Sequence, residues 1–413
     1  MGCAASVLAV QMAGAYSVLA HEAIIDSAWD QNIKPLLLKR FPQAGSDELL
    51  QAHAYSYGGC IIQDMGYYPF GNKMFSELAH YVRSGDFIVN LVRDSQDLDE
   101  YAFALGALAH YAADNEGHRL AVNPSVPIEY PKLERKYGRW VTYAENPSAH
   151  VRVEFGFDAL EVARGRYAPQ SYHDFIGFQV SKPVLERAFH DTYSLELGDI
   201  FDDLDLALGS YRFAVSRLIP EMTKVAWQMK KNDLMAATPG LTRRRFLYNL
   251  SHASFEKEWH GRYQKPGPLA QLLAIFIRIL PPVGPLKVYR FKIPPPETEK
   301  LFEDSFDRSL AFYRALLAEA GSGRLALPNR DFDTGQPTRA AEYILADDAY
   351  SKLAVKLAQK NPADVDPKVI ASVLGFYRDL DRPYATKRKP GEWQATLTAL
   401  EKLKDATAPT PAP

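Results

Sequence analysis

Cysteine is nearly absent from this chain of 413 residues, with only Cys3 and Cys60 present. That excludes a small scaffold stapled by disulfides, and loss of the opening segment would leave Cys60 without an intrachain partner. Long apolar runs are missing too. The longest, Leu269 to Leu280, is interrupted by Gln271 and Arg278 and closed by Pro281-Pro282, short of the roughly 18–20 residues of a spanning helix. It reads as a core helix. Charge of either sign is not in excess: 48 Lys and Arg face 50 Asp and Glu, so no global field selects nucleic acid or an acidic membrane. Any anion must therefore be held locally. β-Branched alternation is also scarce, which argues against a sheet and for an all-α fold.

What is present is a histidine pattern. In the stretch Glu100 to His118, EYAFALGALAHYAADNEGH, His110, Asp114 and His118 recur every fourth residue. On a helix this spacing advances about 40° per step, so three polar heads project from one stripe. Leu105 to Ala109, small and apolar, predicts a buried helix packed closely against its neighbours, so the stripe faces inward. Buried ionisable groups are costly unless they are paired or coordinate a metal. His150 and Glu154 repeat the four-residue spacing. A single such pair is most often structural, but here His21 and His80 add to the first 150 residues as well. The clustering points to a polynuclear zinc site of His and carboxylate ligands.

Along the chain, helices are expected from His21 to Trp29, over Asp47 to Gln63 with a loosening at Gly58-Gly59, and from Met74 through Val92. The organising helix and a second ligand helix over Ser148 to Arg164 follow, then further helices from Lys182 to Lys231, Glu297 to Ala320 and Thr338 to Gln359. Between the ligand helices, Leu120 to Pro147 reads as a polar insertion. The first fifteen residues carry no charge and end in Ala13-Gly14-Ala15, the pattern of a truncated export signal, so the expected location is secreted or periplasmic. The expected division is residues 1–15 as signal, 16–235 as catalytic domain, 240–405 as a helical extension of unknown role, and 406–413 as a disordered tail.

With Tyr16, His21, Asp64, His80, His110, Asp114, His118, His150 and Glu154 in that order, the chain resembles the zinc-dependent phospholipase C family over residues 16 to 235. It also resembles the related single-strand-specific zinc nucleases. The resemblance implies an all-helical bundle around three zinc ions. In it, Tyr16 as the mature amino terminus and His21 would hold one metal, and Asp64, His80, His110 and a bridging Asp114 the second. His118, His150 and Glu154 would hold the third. Two departures stand out: tyrosine replaces the usual tryptophan at the start, and only four residues separate Asp114 from His118 where the family more often has about six.

Three zinc ions against three ligand carboxylates leave a positive site that suits a phosphodiester. Zinc acidifies bound water, and paired metals stabilise an in-line displacement, so attack on phosphorus by a zinc-bound hydroxide is expected, with Asp64 orienting or deprotonating the water. Tyr67, Tyr68 and Phe70 are candidates to line the substrate mouth, and Glu116 to brace a ligand histidine. The leading expectation is phospholipase C cleavage of phospholipid head groups at a membrane surface. The alternatives are a single-strand nuclease or 3′-nucleotidase, with nucleic acid as partner, and a non-catalytic binding protein whose zinc is structural.

Overall fold

Ordered helix begins at Val18 in a computed structural model that describes residues 17–166, 177–243, 246 and 291–407. α1 (Val18–Ala28) continues through a π-helical turn at Trp29–Ile33 into α2 (Lys34–Arg40). α3 (Ser46–Gly59) leads to the Asp64 loop, α4 (Lys73–Tyr81), α5 (Ser84–Asp94) and the central helix α6 (Leu98–Gly117). Ahead of the second ligand helix come α7 (Asn123–Glu129) and α8 (Pro131–Tyr137), and that helix is α9 (Pro147–Arg164). Next come α10 (Lys182–Tyr193), α11 (Leu204–Phe213) and α12 (Ile219–Ala237). Beyond residue 291 lie α13 (Pro296–Gly321), α14 (Ile344–Leu357), α15 (Pro367–Phe376) and α16 (Pro390–Thr407). Apart from one pair of two-residue strands, β1 (Arg330–Asp331) and β2 (Gln336–Pro337), the regular elements among the described residues are helical, so the chain is all-α. The export segment and Leu269–Leu280 lie outside the described residues. None of the described helices is long and apolar enough to cross a membrane.

Glycine sets how α6 is packed. A methyl group on Gly106 would sit 2.1 Å from the Ser56 carbonyl oxygen, and one on Gly59 2.0 Å from that of Phe103. α3 and α6 therefore cross with their backbones nearly touching, where only glycine fits. The helix expected to reach Gln63 gives way at Gly58-Gly59 as its propensity suggested: α3 ends at Gly59, and after a turn the chain continues as a 3-10 helix over Ile62–Tyr67. The close crossing carries the chain after α3 to the flank of α6, next to His110.

The other face of α6 is covered from far along the chain. The hydroxyl of Tyr313 on α13 donates to the Leu105 carbonyl at 2.9 Å, and Tyr111 of α6 donates to the Pro328 carbonyl at 2.9 Å. α6 is thus buried on nearly all sides, as its run of alanine and leucine requires. One hydrophobic cluster runs from Val18 to Leu403, so the described part of residues 240–405 shares its core with the ligand helices.

Two local expectations fail for identifiable reasons. The helix expected from Met74 through Val92 breaks at Arg83, which takes a left-handed conformation (φ 50°). Gly85, just beyond, lets the backbone of Leu327 and Pro328 approach, since a Cβ there would lie 2.6 Å from each of their oxygens. The insertion at 120–147 is largely helical because Pro124 and Pro131 occupy first-turn positions of α7 and α8, where a missing N–H costs nothing.

Gly106→Ala should force α3 and α6 apart and lower stability by at least the roughly 1–3 kcal/mol typical of overpacking. Urea denaturation checks this; an unchanged midpoint would refute the tight crossing.

Candidate metal centre

His110 and His80 hold their rings in a revealing way. Each places Nδ1 against a backbone carbonyl, Cys60 O at 2.9 Å for His110 and Ser76 O at 2.8 Å for His80. A carbonyl only accepts, so both rings carry a proton on Nδ1 and turn Nε2, the nitrogen a metal would bind, to the interior. The two Nε2 atoms face each other at 3.3 Å and face Asp114 Oδ2 at 3.0 Å from His110 and 3.5 Å from His80. Both Nε2 atoms thus converge on one carboxylate. Both oxygens of Asp114, and Oδ1 of Asp64, are buried without a hydrogen bond of ordinary geometry. Against the opposing effect of burial, Asp114 and Asp64 raise the His80 imidazole to about 10, so the cluster demands a positive charge, either a proton on His80 or a metal ion in its place.

The spacing suits zinc. With bonds of ~2.0–2.2 Å, a tetrahedral shell sets neighbouring donor atoms about 3.3 Å apart. His21 Nε2 lies 3.4 Å from Asp114 Oδ1, and His80 Nε2 lies 3.4 Å from Asp64 Oδ1. Three groups of donor atoms emerge: His21, His110 and Asp114; Asp64, His80 and His110; and His118, His150 and Glu154. All eight of these side chains are buried. The donor set of imidazole and carboxylate is the one zinc takes, so the residues fit the ion.

Electrostatics agree with ligand function. Burial, reinforced by the neighbouring His110, lowers the His21 imidazole to about 3, so it is neutral at pH 7. Burial likewise lowers His118 and, further, His150. Glu154 is pushed well above the usual carboxylate range, by burial first and then by the negative charges of Asp114, Asp64 and Asp333. So many acidic groups in one dry cavity call for a compensating positive charge.

Local structure explains the stripe on α6. His110 and Asp114 are one α-helical turn apart, and His118 opens a π-helical turn, His118–Val122, closed by the Asn123 N–H on the His118 carbonyl. A π turn spans five residues where an α turn spans four, and such bulges gather at functional sites. Here it swings Asn123 back beneath the stripe, where its side-chain oxygen meets His150 Nε2 at 2.8 Å. On α9, His150 Nδ1 and Glu154 Oε1 are 2.8 Å apart, and Asp158, next on that face, accepts the Leu19 N–H at 3.0 Å and anchors the start of α1.

The described candidates are thus brought together from α1, the Asp64 loop, α4, α6 and α9. Tyr16 lies outside the described residues. Tyr67 is buried beside the site, with its ring 6.3 Å from His80 and 6.4 Å from Tyr143. Tyr68 packs edge-on against Tyr211 in the main core, and Phe70 is half-buried with a left-handed backbone (φ 62°). Glu116 pairs with Arg119 at 2.7 Å instead of bracing a histidine. Reasoning from sequence missed Asn123 and, from the last third of the chain, Asp333, whose Oδ1 lies 3.5 Å from His118 Nε2. The one sequence signal for Asp333 is Asp331-Phe332-Asp333-Thr334-Gly335, a turn pattern that says nothing of where the turn docks.

The family model described as zinc dependent phospholipase C matches residues 20–202. The match supports assigning this part of the chain to that family. It marks the protein as a zinc-dependent phospholipase C-like hydrolase, and the matched segment contains all eight described candidate ligands. No curated protein and no solved structure matches the chain.

Because every donor must be deprotonated to bind, metal should leave as pH falls, and a chelator should lower the melting temperature until zinc is returned. Differential scanning calorimetry with and without chelator checks this. A melting temperature indifferent to both chelator and zinc would sink the metal-centre reading.

Proposed function

We propose that this chain cleaves the phosphodiester of phospholipid head groups in the manner of a phospholipase C, releasing diacylglycerol and a phosphorylated alcohol. The observation that carries this reading is the convergence of imidazole nitrogens on the buried Asp114 within the family segment. Tyr16 and His21 would hold one zinc together with Asp114; Asp64, His80, His110 and the same Asp114 would hold an adjacent one; and His118, His150 and Glu154 a third. When bound, zinc polarises phosphoryl oxygens and acidifies water.

The chain's own groups do the rest. Asp114, with one oxygen toward His21 and the other toward His80 and His110, fixes the separation of the first two positions. Asp64, with Oδ1 3.4 Å from His80 Nε2, is placed to orient or deprotonate the attacking water. Tyr67 and Tyr143 form an aromatic wall beside the site, suited to the apolar part of a lipid head-group ester. Export from the cell and action at a membrane surface belong to the same proposal.

Zinc-loaded protein is expected to contain about three zincs per chain and to release phosphocholine from phosphatidylcholine micelles. Cleavage of single-stranded DNA without phosphocholine release would overturn the lipid assignment in favour of a nuclease, and turnover of neither substrate would favour a binding protein. Asp64→Asn should lower kcat by about 10²–10⁴-fold. Elemental analysis of the same variant separates loss of the base from loss of a metal, and undiminished turnover would refute the role of Asp64.

A further inference from the structure

The hairpin formed by β1 and β2 lies outside residues 20–202, yet its tip reaches the third donor group. Its path is well fixed. The Phe332 N–H donates to the His80 carbonyl at 3.3 Å, Ser84 Oγ donates to the Arg330 carbonyl at 2.6 Å, and Gly335 comes so close to α6 that a Cβ would lie 2.5 Å from the Asn115 oxygen.

At the tip, Asp333 is buried and its two ends have distinct work. Oδ2 accepts the hydroxyl of Tyr81 at 2.9 Å and that of Tyr343, which together aim the carboxylate. Oδ1 is left facing His118 Nε2 at 3.5 Å, nearer than Asp114 Oδ2 at 3.9 Å. The backbone carbonyl of Asp333 accepts Asn123 Nδ2 at 2.6 Å. That bond orients the Asn123 amide so that its oxygen accepts from His150 Nε2, which leaves the lone pair on His150 Nδ1 beside Glu154. Ser76 and Cys60 fix His80 and His110 through their carbonyls; the hairpin performs this task for His118 and His150.

We propose that Asp333 is the positioning residue of the third metal group, its carboxylate orienting His118 and its carbonyl, through Asn123, orienting His150. The inference rests on the reading of His118, His150 and Glu154 as zinc ligands. A buried carboxylate is a costly way to make a loop pack, whereas a carboxylate behind a ligand histidine fixes the tautomer and raises ligand basicity.

The test uses the full chain and zinc itself. Asp333→Asn keeps shape and carbonyl but removes the charge, and Asn123→Ala cuts the other arm. Each is dialysed against a graded series of chelator concentrations, followed by elemental analysis, with the visible spectrum of the cobalt-substituted protein as a second readout. One metal position of three should weaken by about 10–100-fold in each variant, the other two should be unchanged, and Asp333→Glu should restore part of the loss. Three zincs held with wild-type affinity in both variants would overturn the proposal. So would equal weakening of all three positions, or a metal-free Asp333→Asn chain that no longer melts cooperatively, either of which would make the role purely structural. Wild-type protein that binds no zinc would instead overturn the metal-centre reading, and this inference with it.

Discussion

Around Asp114, imidazole nitrogens and carboxylate oxygens are packed against one another in a buried cluster. His110 and His80 turn one nitrogen outward, to Cys60 and Ser76, and the other to carboxylates that raise His80 to about 10. The structure is therefore built around a positive charge that a proton supplies when no metal ion does. Four helices and one loop are held in register by that shared requirement, and the packing elsewhere keeps their spacing fixed. The α3–α6 crossing is the plainest case. Without glycine at 59 and 106 the backbones could not approach, and the Cys60 carbonyl would not reach His110.

The parts legible in the sequence are those governed by local periodicity. His110, Asp114 and His118 declare themselves because four-residue spacing is a helix property, and His150 and Glu154 do so for the same reason. The burial of α6 follows from Leu105 to Ala109. His21, Asp64 and His80 have no such spacing to connect them and were placed by resemblance alone; the structure sets them beside Asp114.

What stayed hidden is long-range or carried by main-chain atoms. The carbonyls of Cys60, Ser76 and Asp333 leave no mark on residue identity. Asp333 comes to Asn123 across 210 residues, a separation at which spacing carries no information. Gly58-Gly59 was legible as the point where α3 gives way, but its second role, letting two backbones touch, was not. The helices at 123–137 were obscured by proline, which breaks a helix from within and starts one at its first turn.

The way α6 is covered bears on how the protein comes into being. One flank closes early, when α3 and α6 meet, but Tyr313 is 208 residues beyond the Leu105 carbonyl it caps. During synthesis, a long helix that is almost wholly buried in the finished fold therefore waits with one side bare until more than half of the remaining chain has been made. Exposed surface of this kind invites association with other unfinished chains. The half that carries the family signature is for that interval a folding liability, and a fragment ending near residue 202 would give aggregated material in place of a miniature hydrolase.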